Sequence, residues 1–147
     1  MRLTAFTDFG LRLLMRLAGA PDRSFTTAEI ADEFRISRHH LTKVAAELAA
    51  AGVVESRRGA GGGLRLARPA ATITIGEVVR RLEDGQALVE CFRADGGACV
   101  MTPRCRLKAK LFAARNAFLA ELDGVTLAEC AYPFDVGAAA SASGRTS

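Results

Sequence analysis

The earliest apolar residues recur at helical spacing and predict a first helix over residues 7–18. They share one face because they follow one another at intervals of three and four residues, at Phe6, Phe9, Leu13 and Leu17. A glycine and a proline come next, at Gly19 and Pro21, and end the segment. The pattern therefore indicates an amphipathic helix at the start of the fold.

Two more short helices follow, joined by a tight connection. The first starts at Thr26, which has capping-box spacing to Glu29, so that each side chain can satisfy the other residue's backbone N–H. The second starts after Ser37, a favourable N-cap, and runs to about residue 51. Its apolar face consists of Leu41, Val44, Ala45 and Leu48. Two short helices, a short turn (35–37) and basic residues on the second helix predict a helix-turn-helix.

The pattern changes from helical to strand-like after Gly52. Residues 53–56 and 64–66 are short strand-like runs, and they flank the glycine-rich segment RRGAGGG (57–63). This arrangement predicts a β-hairpin, which in a helix-turn-helix protein is a wing. A fourth helix follows, with a second capping box from Thr74 to Glu77.

The second half of the chain contains a loop and then a long helix. Residues 85–103 are rich in glycine and break the helical pattern. Thr102 and Pro103 resemble an N-cap and a first helical residue, so Cys105 is expected in the first turn of a helix that ends near residue 122. The apolar face of that helix consists of Leu107, Leu111, Ala114, Phe118 and Leu122. Such a face packs either on its own domain or on a partner subunit, and we favour a homodimer.

The predicted fold class is mainly α: a winged helix-turn-helix DNA-binding domain with a small β-hairpin wing, followed by a long C-terminal dimerisation helix. We place the winged-helix domain at 1–84, a cysteine-bearing loop at 85–103 and the dimerisation helix at 104–123. A short C-terminal segment is expected at 124–135. Residues 136–147, which are rich in Ala, Ser and Gly, are expected to form a disordered tail.

The excess positive charge lies entirely in the first half of the chain. Residues 1–70 hold 11 Lys/Arg and 7 Asp/Glu, a net of +4, whereas residues 71–147 hold 9 of each. A local basic surface is typical of a nucleic-acid binder, although on charge alone a solvated face explains it equally well. No apolar run reaches the roughly 18 residues of a membrane span, and the N-terminus lacks the pattern of a signal peptide. We therefore expect a cytoplasmic protein without membrane contact.

The helix-turn-helix also predicts which side chains meet DNA. In a winged helix, the second helix of the motif enters the major groove with its N-terminal residues at the base edges. Here these residues are Ser37, Arg38, His39, His40, Thr42 and Lys43. The wing adds Arg57, Arg58, Gly61 and Arg65, and Thr27 lies at the start of the preceding helix. We expect most of these contacts to reach phosphates, with two or three reading the base sequence.

Three of the four cysteines fall in one segment: Cys91, then seven residues, Cys99, then five residues, and Cys105. Without an export signal, clustered cysteines indicate metal or redox chemistry rather than disulfides. Thiolates bind zinc, copper(I) or iron–sulfur clusters, and these wide spacings differ from the CxxC pairs of zinc knuckles. The spacing favours a cluster, with zinc or reactive thiols as alternatives, and a four-iron cluster would lack one ligand. Cys130 is expected to be a buried structural thiol.

Several segments of the chain resemble the NsrR family of nitric-oxide-sensing repressors, part of a wider group of winged-helix regulators that includes IscR and RirA. They are the opening MRLTAFTDFGLR (1–12), SRHHLTK (37–43), the wing RGAGGGLRL (58–66) and IGEVVR (75–80). The cysteine triplet follows, and TPRCRL (102–107) is especially similar to that family. The resemblance covers residues 1 to about 130 in order.

The resemblance implies a homodimer, crossed through the long helix, that binds a palindromic operator and holds an iron–sulfur cluster in the loop. A [4Fe–4S] cluster is favoured, with [2Fe–2S] as the alternative. IscR-like proteins have a His after the third cysteine, where this chain has Lys108. In NsrR-like proteins an Asp in the first helix of the partner subunit is the fourth ligand, and Asp8 matches it. The spacing between Cys91 and Cys99 is slightly long for the family.

From the residues alone, Asp8 has a second explanation. A carboxylate in the first turn of a helix is favoured by the helix dipole, whether or not it binds a metal. The two roles are compatible, and the missing His favours the ligand role.

The function implied by the resemblance is a repressor that releases its operator when nitric oxide reacts with the cluster, so that nitric-oxide detoxification genes are expressed. A regulator of the same family that senses iron supply or cluster status is one alternative. A zinc-stabilised DNA-binding protein without a sensing role is another. An enzyme is not indicated, because the sequence has no substrate-pocket motif, nucleotide fingerprint or second cluster motif.

Overall fold

The computed structural model describes residues 2–131, and its secondary structure is mainly helical. The helices are Ala5–Ala18 (α1), Thr27–Phe34 (α2), Arg38–Ala50 (α3), Ile75–Leu82 (α4), Arg106–Asp123 (α5) and Leu127–Cys130 (α6). The strands are Val54–Arg57 (β1) and Gly63–Leu66 (β2). The predicted fold class is confirmed. The expected disordered tail, 136–147, lies outside the described residues.

Among the described helices, none is both long enough and apolar enough to cross a membrane.

Threonine caps fix the N-terminal ends of four of the described helices, α1, α2, α4 and α6. Both predicted capping boxes are present, at Thr26 and Thr74, where each hydroxyl accepts from a backbone N–H and the Glu three residues later accepts from the backbone of the cap. Helix α1 begins at Ala5, two residues before the predicted start, because the Thr4 hydroxyl accepts from the Thr7 N–H at 3.2 Å. Ser37 occupies the N-cap of α3 as predicted, yet its side chain makes no capping hydrogen bond.

The core lies between α1, α3 and α4. Leu13, Leu41 and Val78, one from each of these helices, are all 0% exposed. The backbones of α1 and α4 approach closely at Gly10, where an added Cβ would collide with Leu82 Cδ1. A larger residue at this position would therefore require the Leu82 side chain to move within the packed core.

The predicted wing is present as an antiparallel pair, with Val54 opposite Leu66 and Arg57 opposite Gly63. A bridge between Phe25 and Leu64 joins the hairpin to the helix-turn-helix. At Gly63 the backbone has φ +138°, and an added Cβ would lie 2.7 Å from the Phe25 carbonyl oxygen. Glycine is therefore required here for the conformation and for the close approach.

The long helix α5 packs on α4. An added Cβ at Gly76 would collide with the Asp123 carboxylate, and Arg80 donates two hydrogen bonds to that carboxylate at 2.5 and 2.6 Å. These bonds lower the pKa of Asp123. In the described chain, Leu119 is the single buried residue of α5, whereas Leu107 and Phe112 are 61% and 51% exposed.

The predicted start of the long helix is wrong. Thr102–Arg104 form a 3-10 turn, so Thr102 and Pro103 do not begin α5, which starts at Arg106. Cys105 therefore occupies the N-cap position, with φ −80° and ψ 108°, instead of the first helical turn. The extended backbone of Cys105 therefore lies between the 3-10 turn and α5 and belongs to neither of them. The predicted loop also contains a second 3-10 turn, Glu90–Phe92.

Candidate DNA-binding face and cysteine site

The N-terminal half of α3 presents a polar face to solvent. Leu41, Val44 and Leu48 are 0% exposed and fix the opposite face in the core. The exposed side chains are the predicted set, Ser37, Arg38, His39, His40, Thr42 and Lys43. Their exposure follows from the helical period, because they lie between the buried positions.

The side chains of this face differ in how strongly they are engaged. The Thr42 hydroxyl donates to the Arg38 carbonyl oxygen at 2.9 Å, and the His40 ring stacks on Phe9 of α1 at 6.4 Å between centroids. Within residues 2–131, Arg38 and Lys43 form no ion pair. The face therefore has two cations without an ion-pair partner in the described residues, Arg38 and Lys43. Thr42 and His40 already contact other residues of the protein.

The wing arginines are organised by one carboxylate. The Nε atoms of Arg57 and Arg65 lie 3.3 and 3.5 Å from the Glu55 Oε1 atom. Arg65 is also the residue opposite Glu55 in the register of the hairpin. Arg58 follows β1 and is exposed, and Gly61 occupies the exposed tip with φ +74°. Thr27, the remaining predicted DNA contact, is half-buried in the first turn of α2.

All four cysteines are free and half-buried. The prediction that Cys130 is a buried thiol is wrong in degree, because it packs against the core from α6 while remaining partly accessible. Cys91 lies in a 3-10 turn, Cys99 in the loop and Cys105 at the start of α5. Across the described residues, no three His, Cys, Asp or Glu side chains are arranged to hold a metal ion.

The donor set nevertheless suits a thiolate-bound group. Three accessible thiols from one segment are the soft ligands that iron–sulfur clusters and zinc prefer. A bound cluster would need Cys91, Cys99 and Cys105 to turn toward one point, which the exposed loop permits without disturbing the core. Because these thiols leave a four-iron cluster one ligand short, the set is also open to a ligand from outside the loop.

Asp8 lies in the first turn of α1, with its side chain 49% exposed. Its carboxylate pairs with Arg12 at 2.7 Å, one helical turn away. Asp8 is not grouped with the three cysteines within one protomer. A carboxylate that is exposed and held only by a surface ion pair can be redirected at small energetic cost.

Next to the cysteine loop, the last turn of α4 contacts three other helices, which the sequence did not predict. Glu83 accepts hydrogen bonds from the Thr4 backbone and hydroxyl, both at 2.8 Å, and from the Thr7 hydroxyl. Burial raises the pKa of Glu83, but these hydrogen bonds outweigh it and lower the pKa overall. Arg81 pairs with Glu47 of α3 at 2.6 Å, and Arg80 reaches α5. Partners this distant in sequence leave no local signal.

Cys105 also borders an open pocket of about 430 Å³ whose other walls include Phe92, Lys108, Phe112 and Arg115. Phe92 and Phe112 meet edge to face at 6.0 Å between ring centroids, which ties the cysteine loop to α5. On α5, Phe112 lines this pocket and Leu107, outside it, is a second exposed apolar side chain.

A family model described as "Rrf2: Iron-dependent Transcriptional regulator" matches residues 3–132. The chain belongs to the Rrf2 family. It is 47% identical over 130 residues to the "HTH-type transcriptional regulator NsrR" of Geobacillus kaustophilus (strain HTA426), covering 88% of each chain. It is 44% identical over 128 residues to the regulator of the same name from Shouchella clausii (strain KSM-K16), covering 86% of each. The resemblance to NsrR is confirmed.

Solved structures show the same fold. CymR, titled the global cysteine regulator of B. subtilis, has a TM-score of 0.73 and 28% identity, and the match covers 92% of this chain and 99% of that one. IscR of T. potens has a TM-score of 0.70 at 22% identity, covering 100% and 93% of the two chains, and supports the fold alone. This Rrf2 protein is therefore a transcriptional regulator and not an enzyme.

Proposed function

We propose that this Rrf2 protein is a homodimeric repressor that binds a palindromic operator and loses it when nitric oxide reacts with an iron–sulfur cluster in loop 85–103. The observation that carries the proposal is the position of three free thiols between α4 and α5, beside the α4 turn that contacts α1 and α3. A change at the thiols could therefore reach the proposed DNA-reading helix α3 through the contacts of this α4 turn.

The polar face of α3 is the proposed reader of the major groove. Arg38 and Lys43 have free cationic side chains, and the Ser37 hydroxyl is not used as a cap, so all three can bind bases or phosphates without breaking a bond. His39, His40, Thr42 and Thr27 supply further polar contacts. In the wing, Arg57, Arg58, Arg65 and the backbone at Gly61 are proposed to follow the phosphates.

Two protomers are proposed to associate through the exposed apolar surface of α5. A homodimer has twofold symmetry, and this symmetry is matched by a palindromic operator with half-sites one helical turn, or a multiple of it, apart. In the proposed dimer, the Asp8 of one protomer would reach the cysteine site of the other.

Cys91, Cys99 and Cys105 are proposed to hold the cluster together with Asp8 of the partner subunit. A four-iron cluster fits this ligand set, and a two-iron cluster is the alternative. The bound cluster would supply iron atoms that react with nitric oxide. In this chain, Asp8 is exposed and paired only with Arg12, so it is available to a second protomer.

The signal is proposed to pass through the two elements that the cluster would join, the end of α4 through the cysteine loop and the start of α1 through Asp8. When the thiols and Asp8 lose their fixed positions, the last turn of α4 and the start of α1 lose a common support. Glu83 then transmits the change to Thr4 and Thr7, and Arg81 transmits it to Glu47 on the reading helix. A coupling of about 1–3 kcal/mol would change operator affinity by roughly 5–150-fold.

The first test is to purify the protein without oxygen, quantify iron and sulfide, and record the absorption spectrum. Binding to a palindromic site selected from random duplex DNA is then measured with and without nitric oxide. We expect iron and sulfide, and a loss of affinity on nitric oxide addition. Equal affinity in both states would contradict the proposal, zinc without sulfide would indicate a structural metal, and a response to iron chelation alone would indicate an iron sensor.

Matched variants separate the sensor from the reader. Cys99→Ser should remove the cluster, whereas Cys130→Ser should keep it, because Cys130 lies on α6 against the core. Lys43→Ala should weaken binding to all DNA sequences and reduce the salt slope by about one. Arg23→Ala, which removes a cation that is already paired with Glu29, should leave the salt slope unchanged.

A further inference from the structure

The spacer between the first two cysteines is closed by a single side chain. Glu90 immediately precedes Cys91, and its Oε1 accepts a hydrogen bond from the backbone N–H of Ala98 at 3.1 Å. Ala98 immediately precedes Cys99. The hydrogen bond therefore joins the residue before one thiol to the residue before the other.

This contact brings together positions that a free chain would keep far apart. Residues 90 and 98 are eight positions apart, and an extended chain of that length would span roughly 26–29 Å. Instead, an added Cβ at Gly97 would lie 2.5 Å from the Glu90 carbonyl oxygen, and Gly97 has φ +61°. Both the space and the backbone conformation at Gly97 therefore require glycine.

The residues inside the spacer are folded on themselves. Arg93 pairs with Asp95 at 2.8 Å, and the Asp95 carboxylate accepts from the Gly97 N–H at 2.9 Å. The Gly96 N–H donates to the Arg93 carbonyl oxygen at 2.9 Å. These local bonds take up the length of the spacer, so that its two ends meet at Glu90.

We propose that Glu90 is a positioning residue of the cysteine site, whose carboxylate oxygen holds Cys91 and Cys99 as a neighbouring pair before Cys105 joins them. The inference deepens the proposed function, because it names what prepares the loop for its cluster. Holding two ligands together in advance removes part of the ordering cost of binding. Glu90 acts as a hydrogen-bond acceptor here and contributes through the backbone.

The test in the absence of any metal uses a short bifunctional thiol reagent, dibromobimane, on the full-length apoprotein with Cys130→Ser. Peptide mapping identifies which thiols are joined, and the rate of the Cys91–Cys99 link is measured. Glu90→Ala should slow this link by roughly two- to tenfold, the range expected for one lost hydrogen bond. Glu90→Gln retains an acceptor oxygen and should match the parent.

Two further variants sharpen the result. Gly97→Ala should slow the link as well, because its Cβ pushes the spacer away from Glu90. Asp84→Ala removes a nearby exposed carboxylate whose hydrogen bond is to the adjacent Gly85 and should have no effect. An unchanged rate in Glu90→Ala, or a Glu90→Gln variant as slow as Glu90→Ala, would overturn the proposal.

A second measurement separates this inference from the proposed function. Each apoprotein is reconstituted with iron and sulfide without oxygen, and the loss of cluster absorbance is followed in the presence of a chelator. Glu90→Ala should lose absorbance faster than the parent and Glu90→Gln should not, and equal rates would count against Glu90. If the parent itself takes up no iron and sulfide, the proposed function fails, while the cross-linking rates still decide the role of Glu90.

Discussion

The winged-helix core and the cysteine loop of this Rrf2 protein are held by different kinds of interaction. In the core, side chains such as Leu13 and Leu41 are 0% exposed and come from different helices. In the loop, Val100 is 91% exposed, and the hydrogen bonds join residues at most eight positions apart, as between Glu90 and Ala98; the ring of Phe92 adds one contact to Phe112 of α5. The core is therefore stabilised by packing between residues distant in sequence, whereas the loop is stabilised by local bonds and can change conformation at a smaller cost.

This contrast suits a sensor. In the proposed function, a densely packed DNA-binding unit would transmit a displacement that starts in the cysteine loop. A locally bonded loop could change its conformation without unfolding the protein. The following substitutions test the contrast.

The largest effect should come from a cavity in the core. Leu41→Ala should destabilise the protein by about 2–5 kcal/mol, because Leu41 is fully buried on α3. Val100→Ala, the matched change in the loop, should cost no more than about 0.5 kcal/mol. Urea unfolding followed by circular dichroism measures both, and similar losses would show that Val100 is buried in the assembled protein.

The next effect should come from the approach of α1 to α4. Gly10→Ala should cost about 1–3 kcal/mol, because the new methyl group meets Leu82 in a packed core. Gly124→Ala is the control, because its φ of −76° suits alanine and its Cβ would lie 3.4 Å from the nearest atom, the Glu121 carbonyl oxygen. We expect a gain of about 0.4–1 kcal/mol there. Melting temperatures compare the two, and a neutral Gly10→Ala would mean that the Leu82 side chain can move aside without loss of packing.

A smaller effect on stability is expected at the helix N-caps. It should distinguish Thr74, whose hydroxyl stabilises the fold, from Ser37, whose hydroxyl is proposed to bind DNA. Thr74→Ala removes the hydroxyl that accepts from the Glu77 N–H in a capping box and should cost about 0.5–2 kcal/mol, while the backbone N–H of residue 74 can still donate to Glu77. Ser37→Ala removes a hydroxyl without a capping bond, so unfolding should be nearly unchanged while operator affinity falls. Fluorescence anisotropy with labelled operator measures the second effect. Unchanged affinity for Ser37→Ala would remove Ser37 from the proposed DNA contacts.

The smallest effect should appear in the pH dependence of stability. The folded pKa of Glu83 is lowered, so its contribution is present above the ordinary glutamate pKa of about 4.3 and is lost as the pH falls through the folded value. Glu83→Gln should therefore lose stability at pH 7 and approach the parent at acidic pH. Urea midpoints between pH 7 and 3.5 test this, and a constant difference across the range would argue against a titrating Glu83.

The sequence predicted the elements well because their signals are local. Apolar periods and capping boxes at Thr26 and Thr74 depend on residues within one or two helical turns, and the glycine-rich segment at 57–63 specifies the wing. The start of α5 was misplaced because Thr102 and Pro103 also fit a 3-10 turn, and local pattern does not distinguish one turn from a long helix.

For the candidate site, the sequence predicted the residue types but not their arrangement in space. The cysteine triplet and the basic face of α3 follow from spacing and helical period, and Asp8 was implied by the resemblance to the NsrR family. The bonds from Glu83 to Thr4 and Thr7 join residues 76–79 positions apart, and such pairing arises from packing. The DNA contacts and the cluster ligands stay predictions, which the proposed variants test.

The sequence by itself thus determined the winged helix, its capping boxes at Thr26 and Thr74 and the set of thiols, because each of these depends on neighbours along the chain. The tertiary structure decided that α4 connects the cysteine loop to α1, α3 and α5, that Cys105 precedes α5, and that Glu90 closes the spacer. These arrangements depend on which surfaces are buried against one another and on how an irregular loop satisfies its own backbone. Neither leaves a periodic pattern in the sequence.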